Sequence, residues 1–337
     1  VRSIGYLMGS YAAGRAYDQV KGHPVLAGTL LCTACCVILI PTIEFLILLI
    51  AIVLLLGAAE SFLDVGGNTL LIWIHMDRSG SYLNGLHLFF GIGGFLAPVL
   101  VARSISGLGD FSWSYWAIAV LIVPVLLFVL SLPSPEIQKT GEVSRSNGNN
   151  GLLTAVLASF FFLWVGIEAG FGGWIFSYIL ETDLSDKSGA AVVTSVFWGA
   201  FTLGRLVSVG LAIRFRPIQM LTVSVSGVLV SLGVMMAFSH SFHILLISSI
   251  GAGAFMASVF PSTLAFAQRR LVLSGKVTSR FMVGAGTGAM AIPWLIGQYI
   301  ESCPRAMIMI LLASVASAGA VLIWITKGIK GGGSHLD

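Results

Sequence analysis

The stretch Phe45–Trp73, FLILLIAIVLLLGAAESFLDVGGNTLLIW, decides the class of fold. It is longer than the roughly 20 apolar residues that an α-helix needs to cross the hydrocarbon core of a bilayer. It also lacks the alternation of apolar and polar positions that marks the strands of a membrane β-barrel. Because only helices and closed barrels satisfy every backbone polar group in lipid, the stretch predicts a transmembrane helix.

The rest of the chain has the same character. Of its 337 residues, 57% are hydrophobic and only 9% are charged, whereas soluble domains carry about 25% charged residues. We therefore expect an all-α, multi-pass integral membrane protein embedded in a lipid bilayer, and a soluble globular fold is excluded. Polar breaks delimit eleven apolar stretches, at 1–13, 25–43, 45–73, 82–103, 113–132, 152–180, 189–213, 218–238, 242–267, 279–300 and 305–326.

Basic residues are distributed unevenly between the two sides of these predicted helices. If the loop after the first helix is cytoplasmic, thirteen of the 18 basic residues lie on that side and three lie opposite. This bias predicts a cytoplasmic linker and C-terminus, and it accounts for the net charge of +4 without a nucleic-acid partner. We expect a monomer in the plasma membrane. The thirteen are Arg15, Lys21, Arg78, Lys139, Arg145, Arg214, Arg216, Arg269, Arg270, Lys276, Arg280, Lys327 and Lys330.

A polar segment and a weak internal repeat predict the domain organisation. Residues 133–151 are rich in Pro, Ser, Asn and Gly, which predicts a flexible cytoplasmic linker. It separates a helix bundle at 1–132 from a second bundle at 152–326, and a tail follows at 327–337. Three short matches relate the two bundles, namely Gly57–Leu70 with Gly251–Leu264, Gly91, Gly93 and Pro98 with Gly286, Gly288 and Pro293, and Gly14-Arg15 with Gly204-Arg205.

The offset between these matches, 190 to 195 residues, places the partner of the 152–180 helix before Val1. We therefore expect two pseudo-symmetric bundles, five visible helices plus six, from a 6+6 protein whose first helix is missing from this chain.

The third predicted helix contains an unusual row of polar side chains. Glu60, Asp64 and Asn68 are spaced four apart and share one helix face. Because a charge at the bilayer centre costs roughly 2.5–3.5 kcal/mol on insertion scales, such residues usually have a function. Asp64, with Glu60 as a possible second acid, is our candidate for binding the coupling cation, and Asn68 for contacting solute. The alternative is a neutral carboxyl group that hydrogen-bonds a neighbouring helix.

Further candidates for solute binding lie in other predicted helices. Glu168 opens the segment Glu-Ala-Gly-Phe-Gly-Gly-Trp at 168–174, and its three glycines weaken the helix as at many transporter sites. An acid beside an aromatic ring suits a sugar, so Glu168 and Trp174 are candidate solute contacts, although an interfacial aromatic belt is the alternative for Trp174. His87 is a further candidate, with a hydrogen-bonded packing role as its alternative.

No other chemistry is indicated. The four cysteines form neither a disulfide framework nor a metal-ligand spacing. There is no phosphate-binding loop and no paired nucleophile and base. We expect no enzyme activity, no metal site and no cofactor other than a coupling Na⁺ or H⁺.

The loop Gly14-Arg15-Ala-Tyr-Asp18-Gln-Val-Lys-Gly-His resembles the cytoplasmic signature of the major facilitator superfamily, G-x-x-x-D-x-x-G-(R/K). In that family the loop joins the second and third helices, and its acid pairs with a basic residue to lock the cytoplasmic side. The resemblance implies a cytoplasmic gate containing Gly14, Arg15 and Asp18, which we extend to Arg205. Snorkelling toward the interface is the alternative for Arg205.

Other motifs resemble the sodium-dependent glucose transporter branch of that superfamily, which is related to the fucose–proton symporters. This resemblance implies an alternating-access carrier for hexoses or similar small polar solutes, driven by Na⁺ or H⁺. The rival hypotheses are an uncoupled facilitator or exporter of another solute, and a non-transporting sensor or scaffold. The motifs are Phe62–Asn68, Leu86–Phe89 with Phe95–Pro98, Val165–Gly170, Phe197–Phe201 with Gly204-Arg205, Phe260–Ser262 and Ala291–Pro293.

Overall fold

The computed structural model describes residues 1–136 and 149–328, and within those ranges the chain forms helices and no strands. Two short 3-10 turns, Ile40–Thr42 and Met76–Arg78, lie before and after α3. The α-helices are α1 (Arg2–Gln19), α2 (Gly22–Leu39), α3 (Leu46–His75), α4 (Ser79–Leu108), α5 (Ser112–Ser131), α6 (Asn149–Glu181), α7 (Lys187–Arg214), α8 (Pro217–Ala237), α9 (Phe242–Met256), α10 (Val259–Gln268), α11 (Gly275–Gly297) and α12 (Arg305–Gly328).

The helices confirm the predicted all-α membrane architecture. Each predicted apolar stretch coincides with one helix, except that the stretch 242–267 is formed by α9 and α10 in succession. Eight of the segments in the described ranges are long and apolar enough to span a membrane, and Phe242–Gln268 counts among them as one. The helices α1, α4 and α11 are not among the eight. In α1 and α11, glycine, serine and charged residues lower the mean hydropathy.

The chain forms two compact units that interleave in sequence. Unit 1 comprises Val1–Ser79, Phe89–Asn147 and Gln268–Gly286, and unit 2 comprises Gly80–Leu88, Gly148–Ala267 and Thr287–Asp337. Both α4 and α11 therefore contribute residues to each unit. The predicted linker at 133–151 and the tail at 327–337 lie mostly outside the described residues, so the boundaries proposed from sequence remain a prediction.

Unit 1 is organised around α3, which packs against α1 and α2, while α2 also packs against α5. The helices α1 and α3 run parallel, since Gly5 lies against Leu54 and Gly9 lies against Ala58 in the same order. Glycine removes the side chain at these contacts, as is common where membrane helices approach closely. This approach brings the side chains of α1 within reach of the acidic face of α3.

Unit 2 is built from α6 to α10, α12, the second part of α11 and residues 80–88 of α4. Within it, α6 packs against α7 and α12, and α9 packs against α7 and α8. Its core is aromatic: Phe171 of α6 meets Phe197 of α7 with a ring-centroid distance of 4.6 Å, and both side chains are fully buried. Such packing fixes the positions of α6 and α7, the helices that carry Glu168 and Arg205.

We predict that Gly57→Ala destabilises the protein. A Cβ atom at Gly57 would overlap the backbone carbonyl of Arg2 and lie 3.1 Å from the amide nitrogen of Tyr6, so α1 and α3 must move apart. Overpacking of this kind costs about 1–3 kcal/mol. The matched control is Gly28→Ala, because no atom lies within 4 Å of a Cβ built there. Thermal unfolding in detergent should show a lower midpoint for Gly57→Ala only, and equal midpoints would contradict the close packing of α1 and α3.

Candidate functional site

The acidic face of α3 meets two polar side chains of α1. Arg2 pairs with Glu60 through two hydrogen bonds, one from Nε to Oε2 at 2.7 Å and one from Nη2 to Oε1. This two-pronged geometry is the strongest form of an arginine–carboxylate contact. The pair cancels both formal charges within unit 1, which lowers the free-energy cost of holding Glu60 at depth.

Asp64 has a different environment. The Tyr6 hydroxyl donates a hydrogen bond of 2.7 Å to its Oδ2. Asp64 has no salt-bridge partner in residues 1–136 and 149–328, and its side chain is exposed on unit 1. A carboxyl group within a membrane segment normally faces a water-filled or protein-covered space. Of the two acids on this face, Glu60 has a salt bridge, and Asp64 has none among the described residues.

Asn68 continues the same face but is 1% exposed. Its Nδ2 donates to the carbonyl oxygen of Asp64 at 2.8 Å, which is a contact within the helix. Its Oδ1 is buried and has no hydrogen-bond partner among the described residues. Because an unpaired buried acceptor is costly, Oδ1 can take a donor from a bound molecule or from a rearranged neighbour.

In unit 2, Glu168 is held by the preceding helical turn. The indole nitrogen of Trp164 donates to Glu168 Oε1 at 3.0 Å, and the fully buried Trp164 ring stacks on Phe160 with an interplanar angle of 5°. The aromatic stack therefore fixes the orientation of the carboxyl group. Glu168 is half-buried.

Arg205 of α7 is the cation that interacts electrostatically with Glu168. It is 4% exposed, and its Nη1 donates to the backbone carbonyl of His87 at 2.6 Å. Its guanidinium carbon lies 4.3 Å from the ring centroid of Phe201. Snorkelling is therefore not its conformation here. The structure places Arg205 in a polar cluster of unit 2, whereas the gate motif lies in unit 1, and its role in the gate remains a prediction.

His87 contributes its backbone carbonyl to this cluster. Its ring packs edge-on against Phe260 at a centroid distance of 4.6 Å. The ring nitrogen Nε2 is buried without a hydrogen-bond partner in the described part of the chain. The structure thus brings together Glu168, Arg205 and His87, three residues that the sequence had suggested for two separate roles.

Trp174 lies two turns beyond Glu168 on α6. Its indole nitrogen donates to the carbonyl oxygen of Pro293 in α11 at 2.9 Å. The Trp174 ring also lies against Gly297, where a Cβ atom would come within 2.8 Å of it. The polar edge of Trp174 is therefore already bonded, and only its ring face remains for a solute.

The gate motif binds the start of another helix. Asp18 Oδ1 accepts from the amide of Gly275 at 2.6 Å, and Oδ2 accepts from the amide of Lys276 at 3.1 Å. Asp18 thereby caps the positive end of α11. Burial raises the pKa of Asp18, and the two amides oppose that rise. The acid engages backbone amides, where the family resemblance implied a basic side chain.

The neighbours of Asp18 in the motif have distinct positions. A Cβ atom at Gly14 would lie 2.9 Å from the carbonyl oxygen of Gly275, so glycine permits the contact between α1 and α11. Arg15 is exposed, and its guanidinium carbon lies 4.1 Å from the ring centroid of Tyr11.

Arg2 and Tyr6 are the site residues that the sequence reasoning missed. Both lie in the first apolar stretch, four residues apart, which matches the spacing of Glu60 and Asp64 on α3. An arginine inside an apolar stretch is a signal of the same kind as the intramembrane acids, and it could have been paired with them. Trp164 also positions Glu168.

The sequence of this chain is similar to those of known proteins. The sequence profile of the Major Facilitator Superfamily matches residues 1–293. The chain is 30% identical to sodium-dependent glucose transporter 1A of Mus musculus, over 88% of this chain and 79% of the mouse protein. It is 29% identical to sodium-dependent glucose transporter 1 of Xenopus laevis, over 96% of this chain and 72% of that protein.

Two crystal structures have a similar fold. The major facilitator superfamily transporter FucP in the outward conformation superposes with a TM-score of 0.80 at 17% identity, covering 96% of this chain and 87% of FucP. The proton:xylose symporter XylE superposes with a TM-score of 0.78 at 10% identity, covering 97% and 84%. At these identities the likeness concerns the fold.

We predict that Asp18→Ala loosens the N-terminus of α11. Loss of two hydrogen bonds from a carboxylate to Gly275 and Lys276 should cost about 1–3 kcal/mol. Amide hydrogen exchange in residues 275–279 should become faster, while exchange in α8 stays unchanged. Asp18→Asn, which keeps an acceptor oxygen, is the matched control and should show a smaller change. Unchanged exchange in Asp18→Ala would rule out the capping role.

Proposed function

Because this chain belongs to the Major Facilitator Superfamily, we propose that it is a secondary active transporter of a hexose or a similar small polar solute. It works by alternating access and is coupled to Na⁺ or H⁺. The names of its relatives, sodium-dependent glucose transporters, support this choice of solute and ion. The observation that carries the proposal is the contrast between the two acids of α3.

The coupling site is Asp64. Glu60 is neutralised by Arg2 within unit 1, whereas Asp64 is exposed and receives only a neutral donor, the Tyr6 hydroxyl. A carboxylate of this kind can take up a proton or Na⁺ and release it, because no salt bridge already matches its negative charge. The hydrogen bond from the Tyr6 hydroxyl fixes the orientation of the Asp64 carboxyl group. We therefore narrow the cation site from two acids to Asp64, with the Arg2–Glu60 pair as its structural neighbour.

The solute site is centred on Glu168. Trp164 holds the orientation of the carboxyl group through Oε1, and the carboxyl group would accept from a sugar hydroxyl. In unit 2, His87 Nε2 is a buried group without a protein partner in the described ranges, and it would gain a hydrogen bond from a polar solute. Asn68 Oδ1 is a second such group, and we keep it as a separate candidate solute contact on unit 1. Trp174 would offer its ring face, since its nitrogen is already bonded to Pro293.

The cytoplasmic gate contains Gly14, Arg15 and Asp18. Opening this gate would require the amides of Gly275 and Lys276 to leave the Asp18 carboxylate. We place the protein in the plasma membrane, and the distribution of basic residues supports a cytoplasmic linker and C-terminus.

We predict that Asp64→Asn abolishes ion-driven accumulation of solute. Radiolabelled hexose uptake into liposomes, with a Na⁺ gradient or a pH gradient, measures this directly. In the variant the carboxyl group that binds the cation is replaced by an amide, so the internal hexose concentration should stop at its equilibrium value under either gradient. Uptake by Asp64→Asn that remains gradient-driven would remove the coupling role of Asp64.

The matched control for this experiment is the double variant Arg2→Gln/Glu60→Gln. It removes one acid from the same helix face but also removes the partner charge, so no unpaired charge remains. Accumulation by the double variant should still follow the gradient. Uptake by the unmodified protein without any ion dependence would indicate a facilitator. Hexose binding without counter-flow would indicate a sensor.

We predict that Glu168→Gln weakens solute binding by about five-fold, because a hydrogen bond to a charged acceptor becomes one to a neutral acceptor. Equilibrium dialysis with labelled hexose gives the dissociation constant. Glu181→Gln, an exposed position at the end of the same helix, is the control and should bind as the unmodified protein does. Equal affinities in all three proteins would exclude Glu168 from the solute site.

A further inference from the structure

A concave groove lies on unit 2 between α7, α8 and α9, and its lining residues do not include Glu168, Arg205 or His87. Its volume is about 630 Å³, which is within the range of about 300–1,000 Å³ for small-molecule sites. The walls are exposed apolar side chains, among them Leu203, Val207 and Val223, and the floor includes Ala200 and Gly204.

The few polar residues of the groove are bonded to the protein itself. The Ser208 hydroxyl donates to the Gly204 carbonyl at 2.7 Å, and the hydroxyl groups of Ser224 and Ser258 bond each other at 3.0 Å. Gln219 accepts from the amide of Arg216 at 2.9 Å. The groove therefore offers apolar surface to an occupant, and a sugar or other polar solute would lose its hydrogen bonds to water there.

The length of the groove matches one leaflet of a bilayer. Its lining residues on α7 run from Ala200 to Leu211, a rise of about 16 Å at 1.5 Å per residue. The hydrocarbon core of a bilayer is about 30 Å thick, so each leaflet contributes about 15 Å. The groove is therefore about as long as the acyl chain of one lipid.

The end of the groove beyond Leu211 carries two positive charges. Arg214 is the last residue of α7 and Arg216 directly precedes α8, and both side chains are exposed. Phe215 between them lines the groove. These arginines belong to the side that the distribution of basic residues predicts to be cytoplasmic, where anionic lipids are concentrated.

We propose that this groove binds one anionic phospholipid of the adjacent leaflet. An acyl chain fills the space between α7, α8 and α9, and the headgroup phosphate contacts Arg214 and Arg216. The apolar walls select a lipid chain over a soluble ligand, and the arginine pair selects an anionic headgroup over a zwitterionic one.

Native mass spectrometry of the full chain, titrated with phosphatidylglycerol or phosphatidylcholine of identical acyl chains, tests the charge contact. The first phosphatidylglycerol should bind more tightly than the first phosphatidylcholine. In Arg214→Gln/Arg216→Gln, phosphatidylglycerol affinity should fall by about five-fold for each arginine removed, with phosphatidylcholine unchanged. Lys21→Gln/Arg78→Gln, which removes two exposed charges of the same predicted side, should retain the preference.

The groove itself is tested by Val207→Trp, which fills it, against Ile213→Trp, an exposed position of α7 that does not line it. Only Val207→Trp should weaken binding of both lipids. The two variants should have the same elution volume on size exclusion and the same thermal midpoint, which would exclude misfolding. Equal lipid binding by the two tryptophan variants, or no headgroup preference in the unmodified protein, would overturn the proposal. So would a dimer that dissociates only in Val207→Trp, since a second copy would then occupy the groove.

Discussion

The free energy of a charged side chain in hydrocarbon is the constraint on which this structure depends. Each charge in a membrane helix needs a partner or a polar space. In unit 1 the constraint is met by matching two helices: Arg2 faces Glu60 and Tyr6 faces Asp64, with the same spacing of four on each. In unit 2 the buried Arg205 has three kinds of partner. It donates to the His87 carbonyl, lies over the Phe201 ring and interacts electrostatically with Glu168.

The close approach of helices follows from the same constraint. For Arg2 to reach Glu60 and for Tyr6 to reach Asp64, α1 and α3 must run parallel at short distance, and the glycines at positions 5, 9 and 57 allow it. At the gate motif, Gly14 similarly lets the start of α11 reach the Asp18 carboxylate. Glycine in this protein therefore serves the placement of charge as well as helix packing.

Much of the fold could be predicted because hydrophobic length is a local property. A run such as Phe45–Trp73 has one stable solution in lipid, a helix. The polar face of α3 could be predicted for the same reason, since a spacing of four on a helix defines one face wherever the helix lies. The partners of that face could not, because Arg2 and Glu60 are separated by 58 positions in sequence and meet only through the register of two helices. The interleaving of the two units through α4 and α11 was equally beyond the reach of local patterns.

The sequence by itself determined the helices, the depth of Glu60, Asp64, Glu168 and Arg205, and the family signature at Gly14–His23. Only the tertiary structure decided which acid of α3 is neutralised by a salt bridge and which receives a neutral donor. It joined Glu60 to Arg2, left Asp64 with a neutral donor, placed Arg205 beside Glu168 and His87, and bonded the Trp174 indole to Pro293. The physical reason is that hydrophobicity acts on each segment separately, whereas hydrogen bonds and ion pairs depend on distances between segments that only packing sets.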